Sequence, residues 1–200
     1  MFKSVKYNLS HLLDFSGRDA RSTFWFYVLF LFLVNVVLGI VLGTVMIGSV
    51  MGPVIHAAQA GASEAAMRAM MGTAMGAFMG KIMWFSLAVN LVMIALLAAS
   101  FVRRLHDSNR SGWWGLLVLA AQAAGLYVSF RMIDAMQAFM TEVMSRTTPM
   151  TPIEMQALMQ SNHMNTYGLV GWIAPLIVIV FGVLDSTEGP NRYGDEPLRS

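Results

Sequence analysis

Four long runs of apolar residues, none containing a charged side chain, limit what this sequence can fold into. They are residues 24–52, 82–102, 113–130 and 167–184. Each approaches or exceeds the roughly 20 residues that a helix needs to cross the hydrocarbon core of a bilayer. The chain is 56% hydrophobic and 12% charged, and so large an apolar surface does not fit inside a domain of 200 residues. The sequence therefore predicts an all-α, polytopic membrane protein with four transmembrane helices.

The basic residues outside these runs are unevenly distributed. Nine lie before the first run, between the second and third, or after the fourth, whereas four lie in the two remaining loops. Loops rich in lysine and arginine stay in the cytoplasm. This distribution predicts a cytoplasmic N-terminal segment over residues 1–23, a cytoplasmic loop over residues 103–112 and a cytoplasmic tail over residues 185–200.

The N-terminal segment has a pattern of its own. Apolar residues recur there at helical spacing, namely Phe2, Val5, Leu9, Leu12 and Leu13. Such spacing predicts a short amphipathic helix that lies on the inner membrane surface. A flexible tail with accidental spacing is the alternative.

Methionines recur every four residues in both long loops, from Met67 to Met83 and from Met132 to Met144. Residues four apart share one face of a helix. We therefore expect residues 53–81 and 131–166 to be extracytoplasmic helical insertions. In them the second helix begins near Ser63, the third continues to about Ser145, and the two form a Met-striped hairpin outside the membrane.

Two smaller predictions concern the same loops. Thr151, followed by Pro152 and Glu154, is a start signal for another short helix. Thioether groups also suit Cu(I), but methionine more often packs against other apolar side chains. We therefore expect no metal and no cofactor.

Three polar stretches lie at the ends of the apolar runs. They read "FSGRDARSTFW" over residues 15–25, "RRLHDSNRSGWW" over residues 103–114, and "EGPNRYGDEP" over residues 188–197. Four crossings place all three on the same side of the membrane. The densest charge of the chain is therefore expected to gather at one cytoplasmic face.

In this order, the three stretches resemble the domain of unknown function 805 family, the YhaH-like bacterial inner-membrane proteins. The similarity rests on G-R-x-x-R-x-x-F-W from Gly17, R-R-L-H-D-x-x-R-S-G-W-W from Arg103, and G-x-N-R-Y-G-x-x-P from Gly189. It does not cover residues 55–81 and 131–165, which typical short members lack. The resemblance implies a four-helix protein of the bacterial inner membrane, and the distribution of basic residues places both termini of this multi-pass chain in the cytoplasm. The resemblance implies no established activity.

The charged face admits a structural and a binding interpretation. In the first, arginines sit beside lipid phosphates, Ser111 caps the third helix and Asp107 pairs with an arginine. In the second, the face binds an anionic lipid headgroup or an acidic segment of a partner. The residues of this predicted binding site are Arg18, Arg21, Arg103, Arg104, His106, Asp107, Arg110, Asn191, Arg192 and Tyr193.

An enzyme that acts on an anionic lipid headgroup is the alternative from another class. His106 would be its acid or base, oriented by Asp107 or Asp185. However, His106 and Asp107 are adjacent, so on a helix their side chains point about 100° apart. The sequence contains no nucleophile motif, no metal-ligand spacing and no phosphate-binding loop. We therefore expect no catalytic residue and favour a non-enzymatic structural or binding component.

The composition also limits the partners. A net charge of +2, without a basic run interleaved with aromatics, argues against nucleic acid. The absence of cysteine excludes disulfides and thiol chemistry. No ionisable residue lies within the apolar runs, which argues against a coupled transporter. Membrane lipids are the expected partners, and a homo-oligomer or a second membrane protein stays open.

Overall fold

The computed structural model describes residues 1–146, 148, 150–161 and 169–197, and helices make up its regular elements. The α-helices are α1 Phe2–Ser10, α2 Arg21–Gln59, α3 Glu64–Asp107, α4 Gly115–Ser145, α5 Pro152–Ser161 and α6 Ile173–Val183. A 3-10 turn, Gly112–Trp114, leads into α4. The described residues contain no strand, only one isolated bridge between Asn191 and Gly194. The all-α prediction is confirmed.

Among the described residues, three helical segments are long and apolar enough to cross a membrane: Arg21–Gln59, Lys81–Asp107 and Gly112–Met132. At most 17% of the most apolar part of any of them is buried within the chain. Most side chains in these parts therefore lie at the surface of the chain, as lipid-facing side chains do. The fourth predicted run contributes α6, whose 11 residues extend over about 16 Å. That is about half of the hydrocarbon core, and residues 167 and 168 lie outside the described residues, so a fourth span stays a prediction.

The predicted extensions of the second and third helices are confirmed by the helix bounds. Helix α3 begins at Glu64 and α4 ends at Ser145. Helix α5 begins at Pro152, directly after Thr151, as its start signal predicts. Packing of the methionine stripes into a hairpin stays a prediction, and residues 147, 149 and 162–168 of the second loop lie outside the described residues.

The chain forms two compact units. The first comprises residues 1–35, 89–127 and 169–200, and the second comprises residues 36–88 and 128–168. All three polar stretches belong to the first unit. In the second unit, Trp84 packs edge-on against Phe130, with their ring centroids 5.7 Å apart.

The core of the first unit lies where α2, α3, α4 and α6 meet. Its buried members are Phe24, Phe101, Leu105, Val118, Ala174 and Val178. Gly182 of α6 sits directly against α2: a Cβ added there would lie 2.8 Å from both Phe24 Cε1 and Trp25 Cζ2. Since real Cβ atoms do not approach so closely, the absence of a side chain at residue 182 lets the two helices meet.

Helix α1 packs against the same unit through one of its faces. Val5 is buried with Tyr27 and Leu31 in a second small cluster. The Tyr27 hydroxyl donates a hydrogen bond to the carbonyl oxygen of Leu96, 3.1 Å away. The N-terminal segment is therefore held on the helix bundle at the end where the polar stretches lie.

Candidate functional site

The three polar stretches meet in one structure, which we call the polar cap and define as residues 1–20, 100–112 and 184–197. The backbone N–H of Asp19 donates to the carbonyl oxygen of Arg103, 3.1 Å away. The backbone N–H of Thr187 donates to the carbonyl oxygen of Asp107, 2.8 Å away. The stretches that the sequence predicted to share a face are thus in direct contact.

Arg103 ties the N-terminal segment to the end of α3. Its side chain is 1% exposed, and its Nε donates to Asp19 over 2.9 Å. One Nη donates to Asn8 Oδ1 over 2.7 Å, and the other to the carbonyl oxygens of His11 and Asp14. Each guanidinium nitrogen therefore has a protein acceptor.

Asp19 is the counter-charge of Arg103 and is itself buried. Its second carboxylate oxygen accepts a hydrogen bond from Ser100 Oγ over 2.9 Å. Burial raises the pKa of the Asp19 carboxyl, whereas its bonds to Arg103 and Ser100 act in the opposite direction. The guanidinium of Arg103 also lies over the ring of Tyr7, 5.4 Å from its centroid, which fixes α1 against this pair.

Asp107 is the centre of a second buried network. Its Oδ1 accepts from Arg18 Nη2 over 3.1 Å and from Arg18 Nε over 3.2 Å. Its Oδ2 accepts from Arg104 Nη1 and from Ser186 Oγ, each over 2.5 Å. The three charged side chains are at most 1% exposed. Two arginines thus compensate one carboxylate, and the surplus positive charge needs further acceptors.

Backbone carbonyl oxygens at the end of α6 supply acceptors for Arg104. Its Nε donates to the Gly182 oxygen over 3.1 Å, and its Nη2 donates to the Leu184 oxygen. The last carbonyls of a helix lack intrahelical partners and carry partial negative charge. Arg104 therefore serves as a side-chain cap for α6.

Arg18 likewise donates hydrogen bonds to backbone carbonyl oxygens, here those of the tail that follows α6. Its Nη1 donates to the carbonyl oxygen of Gly189 over 2.7 Å, and its Nη2 to that of Thr187 over 2.6 Å. Gly189 has φ of +69°, a conformation that glycine adopts without strain. The tail therefore wraps around a buried guanidinium.

The ten predicted site residues fall into two groups. Buried in the two networks are Arg18, Arg103, Arg104 and Asp107; exposed or half-buried are Arg21, His106, Arg110, Asn191, Arg192 and Tyr193. The buried arginines donate to protein acceptors. Of the six predicted arginines, only the three exposed ones are therefore placed to contact an external anion.

The exposed arginines differ in their contacts. Arg21 pairs with Asp185 over 2.5 Å at the surface. Arg110 lies over the ring of Phe181, 5.9 Å from its centroid. Arg192 donates to the carbonyl oxygen of Asn109 over 3.2 Å. All three guanidinium groups are accessible, in contrast to those of the buried networks.

His106 is held in a stack of planar groups at the edge of the polar cap. Its ring lies parallel to that of Tyr193, with the centroids 3.8 Å apart and an interplanar angle of 5°. The guanidinium of Arg192 also lies over the Tyr193 ring, 4.7 Å from its centroid. His106 Nδ1 is 3.2 Å from the carbonyl oxygen of Gly17. Because that oxygen only accepts, Nδ1 carries the hydrogen.

The carboxylates that an acid–base role for His106 would need are engaged elsewhere. Asp107 accepts from Arg18 and Arg104, and Asp185 pairs with Arg21. Among the described residues, no group of three or more His, Cys, Asp or Glu is placed to hold a metal ion. The hydrogen-bond partner of His106 Nδ1 is therefore the carbonyl oxygen of Gly17 and not a carboxylate.

Asn191 organises the tail. Its Nδ2 donates to the carbonyl oxygen of His106 over 3.0 Å, and its Oδ1 accepts from the Tyr193 N–H over 2.8 Å. Asn191 and Gly194 also exchange backbone hydrogen bonds of 3.0 Å. This tight turn places Tyr193 against the imidazole of His106.

Sequence reasoning identified one part of the site and missed another. The pairing of Asp107 with arginine and the capping of the turn before α4 by Ser111, whose Oγ accepts from the Trp113 N–H, are confirmed. Asp19 and Asn8, which hold Arg103, were missed. The position of Asp19 between two motif arginines was the available signal.

Comparison with known proteins identifies a family. A family model described as "Protein of unknown function (DUF805)" matches residues 12–195. No curated protein and no solved structure matches the chain. The resemblance carried by the three polar stretches is therefore confirmed.

Proposed function

The chain belongs to the DUF805 family of proteins of unknown function, and from this we propose a non-enzymatic role for it. In this proposal the polar cap is a preformed module at the cytoplasmic surface of a bacterial inner membrane. It holds the transmembrane helices together and binds anionic lipid headgroups at its rim. The single observation that supports this is the division of the arginines into buried and exposed ones.

The buried arginines account for the structural half of the proposal. Arg18, Arg103 and Arg104 are at most 6% exposed and join the N-terminal segment, the end of α3 and the tail. A buried charge is tolerated only when it is paired and hydrogen-bonded, and these are. The cap is thus organised before any lipid arrives, which lowers the entropic cost of binding.

The exposed cations account for the binding half. Arg110 and Arg192 lie at the rim of the polar cap, and Lys3 and Lys6 are exposed on α1. Each basic side chain near an anionic membrane surface contributes about 1 kcal/mol of attraction. The number and accessibility of these groups fit a surface that faces phosphate.

Apolar side chains of the N-terminal segment are placed to enter the same interface. Phe2 is 83% exposed and adjoins Lys3 in α1, and Leu13, which follows the end of α1, is 90% exposed. Trp113 is 76% exposed at the start of the third candidate span. Exposed apolar groups beside lysines, and tryptophan at a helix end, are typical of the boundary between headgroups and acyl chains.

Hydrogen exchange in nanodiscs tests this role. We expect the amides of residues 2–13 to exchange more slowly when phosphatidylglycerol replaces phosphatidylcholine, and the difference to shrink at high salt. The double variant Lys3→Gln/Lys6→Gln should lose it. Arg68→Gln, an exposed arginine outside the polar cap, is the matched control and should keep it.

Two results would overturn the proposal. Equal protection of residues 2–13 in both lipids would remove the headgroup contact. Chemical conversion of an added anionic lipid by the purified protein, lost in His106→Asn, would replace the non-enzymatic role by the enzymatic alternative.

A further inference from the structure

We infer that one glycerophospholipid with an anionic, hydroxyl-bearing headgroup is seated between α3 and α4, with its headgroup at His106. This deepens the proposed function by naming a lipid class and a specific binding site, the space between α3 and α4 that ends at His106, which we call the seat. It rests on the proposed function only in that the polar cap lies at a membrane surface. The seat is separate from the basic surface of α1.

An apolar groove runs along the first unit between α3 and α4. Its volume is about 190 Å³, and its walls include Ile94, Leu97 and Val102 of α3 and Leu119 of α4. Both helices belong to candidate membrane spans. Helices that cross a membrane are surrounded by acyl chains. An acyl chain is therefore the group most available to fill this groove.

A more polar pocket continues the groove towards the polar cap. It has a volume of about 320 Å³ and is lined by His106, Ser111, Trp113 and Tyr193. Gly112 of the turn and Leu116 of α4 each border both the pocket and the groove. An apolar channel that ends in hydrogen-bonding groups matches the shape and polarity of a phospholipid.

Two glycines shape the junction. A Cβ on Gly112 would lie 3.0 Å from Val102 Cγ1 and 3.3 Å from His106 Nε2. A Cβ on Gly115 would lie 3.7 Å from Val102 Cγ2. His106 Nε2 thus faces the junction, and any larger side chain at residue 115 would project into the groove.

The polar groups of the pocket select the headgroup. In a neutral imidazole whose Nδ1 donates to Gly17, Nε2 is an acceptor, and the proposed ligand supplies its donor. Arg192, stacked on Tyr193 beside the pocket, favours a phosphate. It disfavours a second positive charge. A phosphodiester bearing a hydroxylated group, such as the glycerol of phosphatidylglycerol, satisfies both conditions, whereas choline has no donor.

Native mass spectrometry tests the seat in the detergent-purified full chain. With equimolar phosphatidylglycerol and phosphatidylcholine added, we expect one phosphatidylglycerol to be retained per chain, at least tenfold over phosphatidylcholine. Gly115→Leu should lower this retention at least tenfold. Gly125→Leu makes the same change on the same helix where an added Cβ meets nothing within 4 Å, and it should retain the lipid.

A pair of His106 variants tests the headgroup contact. His106→Asn keeps an amide N–H near Nδ1, able to bond Gly17, but removes the acceptor at Nε2. His106→Gln places an amide oxygen near Nε2. We expect the asparagine variant to retain both lipids equally and the glutamine variant to keep the preference for phosphatidylglycerol. Equal retention of the two lipids by the unmodified chain, or equal behaviour of Gly115→Leu and Gly125→Leu, would overturn the seat.

Hydrogen exchange in nanodiscs distinguishes a failure of the proposed lipid seat from a failure of the proposed function. If Gly115→Leu still retains lipid while the protection of residues 2–13 depends on phosphatidylglycerol, only the seat is refuted. The opposite result is that Gly115→Leu loses the lipid while residues 2–13 are equally protected in both lipids. The lipid site between α3 and α4 then stands, and the contact of α1 with anionic headgroups is refuted.

Discussion

Arg104 is fully buried and donates to Asp107 and to the end of α6. Its planar fork reaches these acceptors together, which a lysine ammonium does not. Replacing it by alanine leaves Asp107 with fewer donors and the α6 carbonyls without their cap. We expect Arg104→Ala to lower the free energy of unfolding by about 3–5 kcal/mol, measured as a lower Tm in detergent.

The exposed Arg110 provides the control for this change. Arg110→Ala removes the same charge at the surface, so its effect on the free energy of unfolding should stay within about 0.5 kcal/mol. Equal Tm values for the two variants would contradict the structural assignment of Arg104. Arg104→Lys should fall between Arg104→Ala and the unmodified chain.

Gly182 carries a second residue-scale prediction. A Cβ there would lie 2.8 Å from Phe24 and Trp25 side-chain atoms, and the Gly182 carbonyl accepts from Trp25 Nε1 over 3.1 Å. Gly182→Ala therefore forces α6 away from α2, and such overpacking costs about 1–3 kcal/mol. Thermal unfolding should show a lower Tm, whereas Gly125→Ala in α4 should not. A Tm for Gly182→Ala at or above that of Gly125→Ala would refute the close contact.

At the scale of single residues, the sequence predicted side-chain pairs that are close along the chain but not pairs that are far apart in it. Asp107 lies three residues after Arg104, so their pairing follows from helical spacing. The pairing of Arg103 with Asp19 joins residues 84 positions apart and depends on how α2 and α3 return to the same end. Burial of Arg18 and Arg104 likewise depends on the tail, which no local pattern specifies.

The start of α5 is an element whose stability is expected to depend on pH. Thr151 donates to Glu154 Oε2 through its backbone N–H and its hydroxyl, over 2.8 and 2.9 Å. The Glu154 N–H donates back to Thr151 Oγ over 3.3 Å. These bonds, the backbone one foremost, hold the pKa of Glu154 below its ordinary value. Stabilisation of α5 is therefore complete above the ordinary pKa and is lost as the pH falls through the lower folded one.

Hydrogen exchange of the α5 amides measures this loss. Protection relative to intrinsic rates should be constant near neutral pH and should decrease below about pH 4.3, the ordinary pKa of glutamate. Glu154→Gln keeps a capping side chain without a titrating group, so its protection should not change over the same range. A pH-independent wild type would show that the cap contributes nothing to α5.

Helix α1 shows how an element can be predicted while its packing is not. Its spacing predicted one apolar face, and the helix forms over Phe2–Ser10. In the structure the helix ends before Leu12 and Leu13, and its apolar face is divided, because Val5 is buried against Tyr27 and Leu31 whereas Phe2 is exposed. A helix between a bundle and a lipid surface needs apolar groups on both sides, and hydropathy spacing does not distinguish these two environments.

At the scale of the whole molecule, contacts within the polar cap restrict the number of membrane crossings. Thr187 N and Thr187 Oγ both donate to the carbonyl oxygen of Asp107 over 2.8 Å. Points this close lie on one side of a membrane, so the chain between them crosses an even number of times. Gly112–Met132 is one candidate crossing, and we predict that the segment leading through α6 is the return. Apolar runs are local properties, which is why the sequence predicted the spans better than the pairing of side chains.

Single cysteines test this threading directly, because the chain has none of its own. Leu13→Cys and Asp195→Cys lie in the polar cap, and Ala60→Cys lies between α2 and α3; all three positions are exposed. In intact cells we expect an impermeant maleimide to label only Ala60→Cys, and the other two to react after permeabilisation. Labelling of Leu13→Cys and Asp195→Cys from opposite sides would refute an even number of crossings. Labelling of both from outside would keep that number and reverse the orientation, which would place the arginine networks and the His106 pocket at the outer surface.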